Sequence, residues 1–257
     1  MKNVPPNELD VVFLPESVPP ESLEGKTVVI VDVLRATTTI ITALSNGCSQ
    51  VLPQPSVDLA RDTYQAFPNS AVIGGERGGK IVEGFHHGNS PLEYTSKNID
   101  GKTLILTTTN GTVAMEHCRL AKRVLIGAMI NVDAIAKAVL DDPKTTIVCS
   151  GTDRVITSED VLFAGALVDR VEILCESNQL ESIRLTDTAK IARDHWKAVQ
   201  AGIDAGGSLA DVFRIARGGI HLVKIGHDPD IVYASQLDIC HDVPELNLEK
   251  WSIRLIE

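Results

Sequence analysis

The segment "VVIVDVLRATTTIITALSNG", residues 28–47, joins a strand pattern to a helix pattern. Its first half is an apolar run broken only by Asp32, which is typical of a strand buried on both faces. Its second half continues as a helix, and Asn46-Gly47 suits a helix end. Asp32, Arg35 and three threonines (37–39) lie at the junction. A fold alone does not require these side chains, so the junction is a candidate site for an anion, with or without a metal.

The alternation of strand and helix patterns recurs about six times between residues 28 and 171, with short connections. This pattern predicts an α/β fold in three layers, α/β/α, with a mostly parallel central sheet covered by helices on both faces. Further along, helices are predicted at 183–201 and 209–217, and strands at 220–225, 231–235 and 251–256. We expect one α/β domain over residues 1–257, in which residues 178–257 either complete the sheet or form a small subdomain.

The composition excludes several classes of protein. With 257 residues, of which 44% are apolar and 23% charged, the chain can bury a large core. Its net charge of −10 and its lack of any Lys/Arg run argue against nucleic-acid binding. It has no apolar run of about 18 residues and begins with a polar segment, so neither a membrane span nor a signal peptide is expected. Five scattered cysteines without a Cys-x-x-Cys pair predict reduced thiols and a cytoplasmic location.

Ligands of such a sheet bind beyond the carboxyl ends of its strands. The residues after four predicted strands are small and polar, namely 32–39, 74–91, 107–112 and 149–160. Helix N-termini, threonine hydroxyls and arginines are suitable donors for a phosphate or a sulfonate. Carboxylates in the same segments would repel that anion unless a divalent cation lay between them. These hard oxygen ligands favour Mg²⁺ over softer metals, and they are Asp32, Glu76, Glu83, Glu159 and Asp160.

Each candidate residue also has a structural interpretation that the sequence leaves open. Asp32 could cap the following helix, and the threonines could be ordinary first-turn residues. Arg35 and Arg77 could form surface ion pairs. The turn 107–112 could be only a tight connection, and the acids at 159–160 lie where any helix favours negative charge.

Several familiar phosphate and nucleophile motifs are absent. The chain has no Gly-x-Gly-x-x-Gly after a strand, no P-loop and no Gly-x-Ser-x-Gly turn. Leu34 stands where phosphatases with an Asp-x-Asp nucleophile pair would have an acid. Cys149 and Arg154 are separated by four residues, whereas a phosphate-binding cysteine loop has five. Cys149 is therefore not expected to be a nucleophile.

Five blocks in this order resemble the 2-phosphosulfolactate phosphatase (ComB) family: "DVLRATTTI" (32–40), "GERGG" (75–79), "GNSP" (88–91), "TTTNGT" (107–112) and "SEDVLFAG" (158–165). The resemblance spans roughly residues 28–245. It implies an α/β/α, Mg²⁺-dependent phosphohydrolase that makes sulfolactate and phosphate, a reaction of coenzyme M synthesis in that family. One departure is His86-His87, which replaces an acidic–apolar pair between "GF" and "GNSP" and leaves the exact substrate open.

From this resemblance and the strand-end chemistry we expect Mg²⁺ and two anion-binding segments in one pocket. The expected catalytic residues are Asp32, Glu76 and Asp160, and the expected metal ligands are Asp32, Glu76 and Glu159. Whether Glu159 or Asp160 completes the metal shell or acts as general base is left open. The expected phosphate- or sulfonate-binding residues are Arg35, Thr37, Thr38, Arg77, Thr108, Thr109, Asn110, Gly111 and Thr112.

The expected function is hydrolysis of 2-phosphosulfolactate. The alternatives are a phosphatase or lyase that acts on another small phosphorylated organic acid, and a non-catalytic sensor of an anionic metabolite. The expected partner is a small phosphorylated acid, with no nucleic acid or membrane involved, and a homodimer is the default assembly. We also expect Arg35 and Arg77 to face the same pocket, since both follow the carboxyl end of a parallel strand.

Overall fold

The computed structural model describes residues 7–67, 69–180 and 182–256. Within them the chain forms a three-layer α/β/α fold around an 11-stranded sheet. The strands are β1 Glu8–Val12, β2 Thr27–Val31, β3 Gln50–Pro53, β4 Ala71–Arg77, β5 Lys80–Ile81, β6 Thr103–Thr107, β7 Arg123–Gly127, β8 Lys144–Cys149, β9 Arg184–Leu185, β10 Pro244–Asn247 and β11 Ser252–Leu255. The helices are α1 Ala36–Ser45, α2 Val57–Gln65, α3 Ser96–Ile99, α4 Gly111–His117, α5 Val132–Val139, α6 Ser158–Ser177, α7 Asp187–Asp204, α8 Leu209–Ile215, α9 Arg217–Lys224 and α10 Asp228–Ala234.

Two parallel groups of strands make up most of the sheet, as predicted. One group has the order β7-β2-β8-β1-β9, and the other has the order β4-β6-β3. The hairpin β10-β11 lies between them and pairs antiparallel with both groups. The short β5 pairs antiparallel with β4 at the edge. The last two strands of the chain therefore lie in the middle of the sheet.

The sheet is strongly curved. Four strands separate β6 from β2 in the sheet order. In a flat sheet, five steps of about 4.8 Å would place these two strands roughly 24 Å apart. Nevertheless, a Cβ on Gly111, just after β6, would lie 3.1 Å from Oδ2 of Asp32, just after β2. The carboxyl ends of the two parallel groups therefore meet at one place.

Helix α1 lies inside this curve and is buried from Ala36 to Leu44. Ile40 and Ile41 pack with residues of β2, β6, α4 and β11 in one cluster, and the buried threonines of the helix donate their hydroxyls to backbone carbonyls. A second cluster joins the other face of β1, β2 and β8 to α5, α6 and α7, and a third lies beneath α2. Among the described residues, no helix combines the length and the apolar character that crossing a membrane requires.

Two predicted strands are helices in the structure. Residues 220–224 belong to α9, Ile225 is its C-cap, and residues 231–235 fall mostly within α10. In α9, Leu222 is buried whereas Ile220 and Val223 are 58% and 45% exposed. This is the one-sided burial of a helix, and it does not follow the alternation of a strand. A short run rich in apolar and β-branched residues is compatible with either element, so packing decides between them.

Candidate active site

A cavity of about 240 Å³ opens where the strand ends meet. All four polar segments predicted from the sequence contribute to it, and helix α9 adds a further wall. The lining residues are Asp32, Leu34, Arg35, Glu76, Gly78, Gly79, Asn89, Thr108, Thr109, Asn110, Thr152, Asp153, Arg217, Gly218, His221 and Leu222. The topological argument thus placed the cavity at the correct edge of the sheet.

Asp32 both caps a helix and lines the cavity. Its Oδ1 accepts a hydrogen bond from the backbone N–H of Ala36 at 3.1 Å, at the start of α1. The residue is 6% exposed. Burial raises the pKa of Asp32, and the nearby carboxylates of Asp160 and Glu76 raise it further. Asp32 therefore caps the helix, and it also lies beside two other acids, an arrangement that a cap alone does not require.

Asp160 holds two loops together beneath the cavity. Its Oδ1 accepts the backbone N–H of Val33 at 2.9 Å, and its Oδ2 accepts that of Gly151 at 2.9 Å. The side chain does not appear among the lining residues. Burial, followed by the charge of Glu159, raises the pKa of Asp160. In this arrangement Asp160 joins the residues after β2 to those after β8.

Glu159 has an unpartnered oxygen. The residue is 1% exposed, and among the described residues its Oε2 has no hydrogen-bond partner. Its Oε1 lies under Gly218 of the cavity wall, where an added Cβ would come within 2.6 Å of it. Burial and the charge of Asp32 raise the pKa of Glu159. Such an oxygen is costly to bury unless a proton or a cation meets it.

Glu76 connects two loops to the end of β4 through hydrogen bonds. Its Oε1 accepts hydrogen bonds from the backbone N–H and the hydroxyl of Thr109, both at 2.8 Å. Its Oε2 accepts the N–H of Gly79 at 2.7 Å. Both oxygens of this predicted metal ligand therefore already carry hydrogen bonds within the protein.

Arg35 lines the cavity from a buried position. Its Nη1 donates to Oδ2 of Asp230 at 2.6 Å, and the two side chains are 2% and 3% exposed. Its Nη2 donates to the carbonyl of Gly79 at 2.9 Å. Oδ1 of Asp230 also accepts the hydroxyl of Ser90 at 2.6 Å. Asp230, which the sequence analysis did not single out, thus neutralises and orients the guanidinium of Arg35.

Arg77 does not appear among the lining residues. Its guanidinium donates to the carbonyl of Glu76 at 2.6 Å and to the hydroxyl of Thr107 at 2.9 Å. The residue as a whole is exposed. This placement differs from the expectation that Arg35 and Arg77 face the same pocket.

The predicted threonines divide into two groups. The hydroxyls of Thr37, Thr38 and Thr112 donate to backbone carbonyls at 2.8–2.9 Å and do not line the cavity. Buried threonines in a helix commonly satisfy their hydroxyls in this way. Thr108 and Thr109 do line the cavity, together with Asn110. Gly111 follows them, and only a glycine fits there, because a Cβ would lie 2.7 Å from that of Ala36.

Helix α9 supplies lining residues that sequence reasoning missed. Arg217, Gly218, His221 and Leu222 all border the cavity, and their spacing of one and four positions places them on one face of a helix. Because this stretch was interpreted as the end of a helix and a strand, that face could not be recognised. Asn89, from "GNSP", also lines the cavity, although only its motif had been noted.

The described residues contain no group of three or more His, Cys, Asp or Glu side chains that could hold a metal ion. Mg²⁺, however, commonly binds through one or two carboxylates and completes its shell with water and substrate phosphate. Asp32 and Glu159 fit that pattern, since both carboxylates are buried and the charge of Asp32 raises the pKa of Glu159. The unpartnered Oε2 of Glu159 is an available ligand atom.

The five cysteines are unpaired, as predicted. Burial raises the pKa of Cys149 well above its usual value, and the charges of Asp160 and Glu159 raise it further. A thiol in that state is a poor nucleophile. We expect Cys149→Ser to keep most of the phosphatase activity in a phosphate-release assay, with unfolding measured in parallel. Isolation of a phosphocysteine intermediate would contradict this expectation.

Comparison with known proteins identifies the family of this chain. The family model of 2-phosphosulpholactate phosphatase matches residues 12–249. A relative named "Probable 2-phosphosulfolactate phosphatase" from Clostridium acetobutylicum is 32% identical over 239 residues, which are 93% of this chain and 97% of the relative. Relatives of the same name from Clostridium novyi and Clostridium kluyveri are 34% and 36% identical, over 95% and 93% of this chain and 98% and 94% of their own lengths. The chain therefore belongs to the 2-phosphosulfolactate phosphatase family.

Proposed function

We propose that this protein hydrolyses 2-phosphosulfolactate to sulfolactate and phosphate and that it requires Mg²⁺. The observation that carries the proposal is the cavity itself, which combines buried carboxylates with the donor-rich segment Thr108–Asn110 at the strand ends. The names of the relatives support 2-phosphosulfolactate as the substrate. The close grouping of the acids Asp32, Glu159 and Asp160 supports the requirement for a cation, because each of these carboxylates has a raised pKa.

In the proposed reaction Asp32 and Glu159 would hold the cation, and Thr108 and Asn110 would bind the phosphoryl oxygens, whereas both donors of Thr109 are occupied by Glu76. Mg²⁺, when bound, supplies a Lewis acid that neutralises charge on the phosphoryl group. Asp160 and Glu76 position the loops, through hydrogen bonds that join the residues after β2, β4, β6 and β8. Phosphoryl transfer passes through a loose transition state, so positioning and charge neutralisation account for most of the catalysis.

The test is phosphate release from a panel of small phosphorylated acids, with and without a sulfonate, and from p-nitrophenyl phosphate. We expect the highest kcat/KM with 2-phosphosulfolactate. Treatment with a chelator should abolish turnover, and added Mg²⁺ should restore it. Unchanged turnover in excess chelator would contradict the Mg²⁺ requirement. Binding of the acids without any phosphate release in the presence of Mg²⁺ would identify a sensor instead of an enzyme.

A further inference from the structure

The two arginines that line the cavity are held very differently. Arg35 is buried, and its guanidinium is occupied by Asp230 and by the carbonyl of Gly79. Among the described residues, Arg217 forms a surface ion pair alone, in which Nη2 lies 3.2 Å from Oδ2 of Asp153 and the side chains are 52% and 64% exposed. An exposed pair of this kind stabilises a protein by about 0–1 kcal/mol. The guanidinium of Arg217 can therefore leave Asp153 for another anion at little cost.

Arg217 is also well placed. It begins helix α9, and the next residue, Gly218, packs directly over Oε1 of the buried Glu159. His221, one turn later, lines the same cavity. The wall formed by α9 comes from a different element than the segment Thr108–Asn110 and meets the cavity beside the buried acids. Asp153, the partner of Arg217, donates its backbone N–H to Oδ1 of Asn110 at 3.3 Å, so the two walls adjoin.

The chemistry of the proposed substrate requires a second cationic group. 2-Phosphosulfolactate carries a carboxylate and a sulfonate in addition to the phosphate that is removed. The protein has a net charge of −10, so its overall field does not attract such an anion. A guanidinium presents two parallel N–H donors that match the oxygens of a carboxylate or a sulfonate. Arg217 is the arginine at the cavity whose donors can be released for this purpose.

We propose that Arg217 is a specificity-determining residue, which exchanges Asp153 for an acidic group of the substrate that is not transferred. This inference rests on the proposed function for the identity of that substrate. Asp153 then acts as an internal competitor that occupies the guanidinium until the substrate binds. Arg35, in contrast, keeps its partner and shapes the cavity.

The test compares Arg217→Gln with the parent on 2-phosphosulfolactate and on p-nitrophenyl phosphate, which lacks the second acid. Loss of a charge-assisted hydrogen bond should raise KM for 2-phosphosulfolactate roughly 10- to 100-fold. KM for p-nitrophenyl phosphate should remain nearly unchanged. Arg154→Gln is the matched control, because Arg154 lies one residue beyond Asp153, is 86% exposed at its side chain and pairs with Glu16 outside the cavity. It removes the same charge and should alter neither KM.

A second variant tests whether Asp153 competes with the substrate for Arg217. Asp153 has a φ of 53°, a conformation that asparagine also tolerates. Asp153→Asn should therefore fold normally. It should lower KM for 2-phosphosulfolactate by a few-fold, because the substrate no longer has to displace a surface ion pair of about 0–1 kcal/mol. An increase in KM for this variant would show that Asp153 helps to bind the substrate and would overturn its assigned role.

Equal losses on both esters in Arg217→Gln would overturn the proposal while leaving the proposed function intact. If the parent does not hydrolyse 2-phosphosulfolactate at all, the proposed function fails on its own. The anion subsite is then tested by calorimetric titration of sulfolactate into the parent and Arg217→Gln. Weaker binding to the variant supports the subsite, whereas equal affinities, or no binding to either protein, would overturn it.

Discussion

The Asp32→Asn variant is expected to lose phosphatase turnover by roughly a hundred- to a thousand-fold, the usual effect of removing a key electrostatic group from an active site. Asparagine keeps an oxygen that can accept the N–H of Ala36, so the cap of α1 is preserved. It removes the charge that would hold the cation. The measurement is kcat with 2-phosphosulfolactate at saturating Mg²⁺.

The same substitution should leave the free energy of unfolding at neutral pH unchanged or raise it. Burial and the charges of Asp160 and Glu76 raise the pKa of Asp32, so its ionised form opposes folding. A stable but inactive variant is the signature of a functional acid, because active sites often retain groups that reduce stability. Asp58→Asn is a suitable control, since that carboxylate is 93% exposed on α2. Near-normal activity in Asp32→Asn would show that Asp32 is only a cap.

The raised pKa values also predict how stability depends on pH. Unfolded carboxylates lose their protons near pH 4, whereas folded Asp32, Glu159 and Asp160 retain theirs to higher pH. The folded state therefore binds more protons in this range, and the stability of the cation-free protein should fall as pH rises through the raised pKa values. Urea unfolding at several pH values, in chelator, measures this decline, which should be smaller in Asp32→Asn.

The second large effect is expected at Asp230. Asp230→Ala should lower the free energy of unfolding by about 3–5 kcal/mol, because it leaves the buried charge of Arg35 without a partner. The Arg35–Asp230 pair has side chains that are only 2% and 3% exposed and a separation of 2.6 Å. The measurement is denaturant unfolding. Asp211→Ala is the matched control, because its pair with Arg214 is at the surface and is expected to contribute about 1 kcal/mol or less.

A double variant separates stability from function at this pair. Replacing a buried ion pair by apolar residues is often neutral for stability. Arg35→Met combined with Asp230→Leu should therefore recover most of the stability lost in Asp230→Ala, yet remain inactive if the guanidinium shapes the cavity. Recovery of activity in the double variant would show that the pair serves folding alone.

The sequence by itself determined the architecture and the edge of the sheet where the cavity lies. Apolar runs such as residues 28–31, followed by helix patterns, predict parallel strands because strand and helix have different periods. The carboxyl ends of parallel strands share one edge, so the residues after β2, β4, β6 and β8 could be expected together. Asp32, Glu76 and Thr108 do line one cavity.

Only the tertiary structure decided which groups at that edge are available to a ligand. The hydroxyls of Thr37 and Thr38 are occupied by backbone carbonyls, which depends on the burial of α1 inside the curved sheet. Arg35 is occupied by Asp230, 195 positions further along the chain. No local pattern encodes a contact of that range, because it forms only when distant elements pack against each other. Arg217 joins the site for the same reason, since packing alone makes residues 217–224 a helix with one face on the cavity.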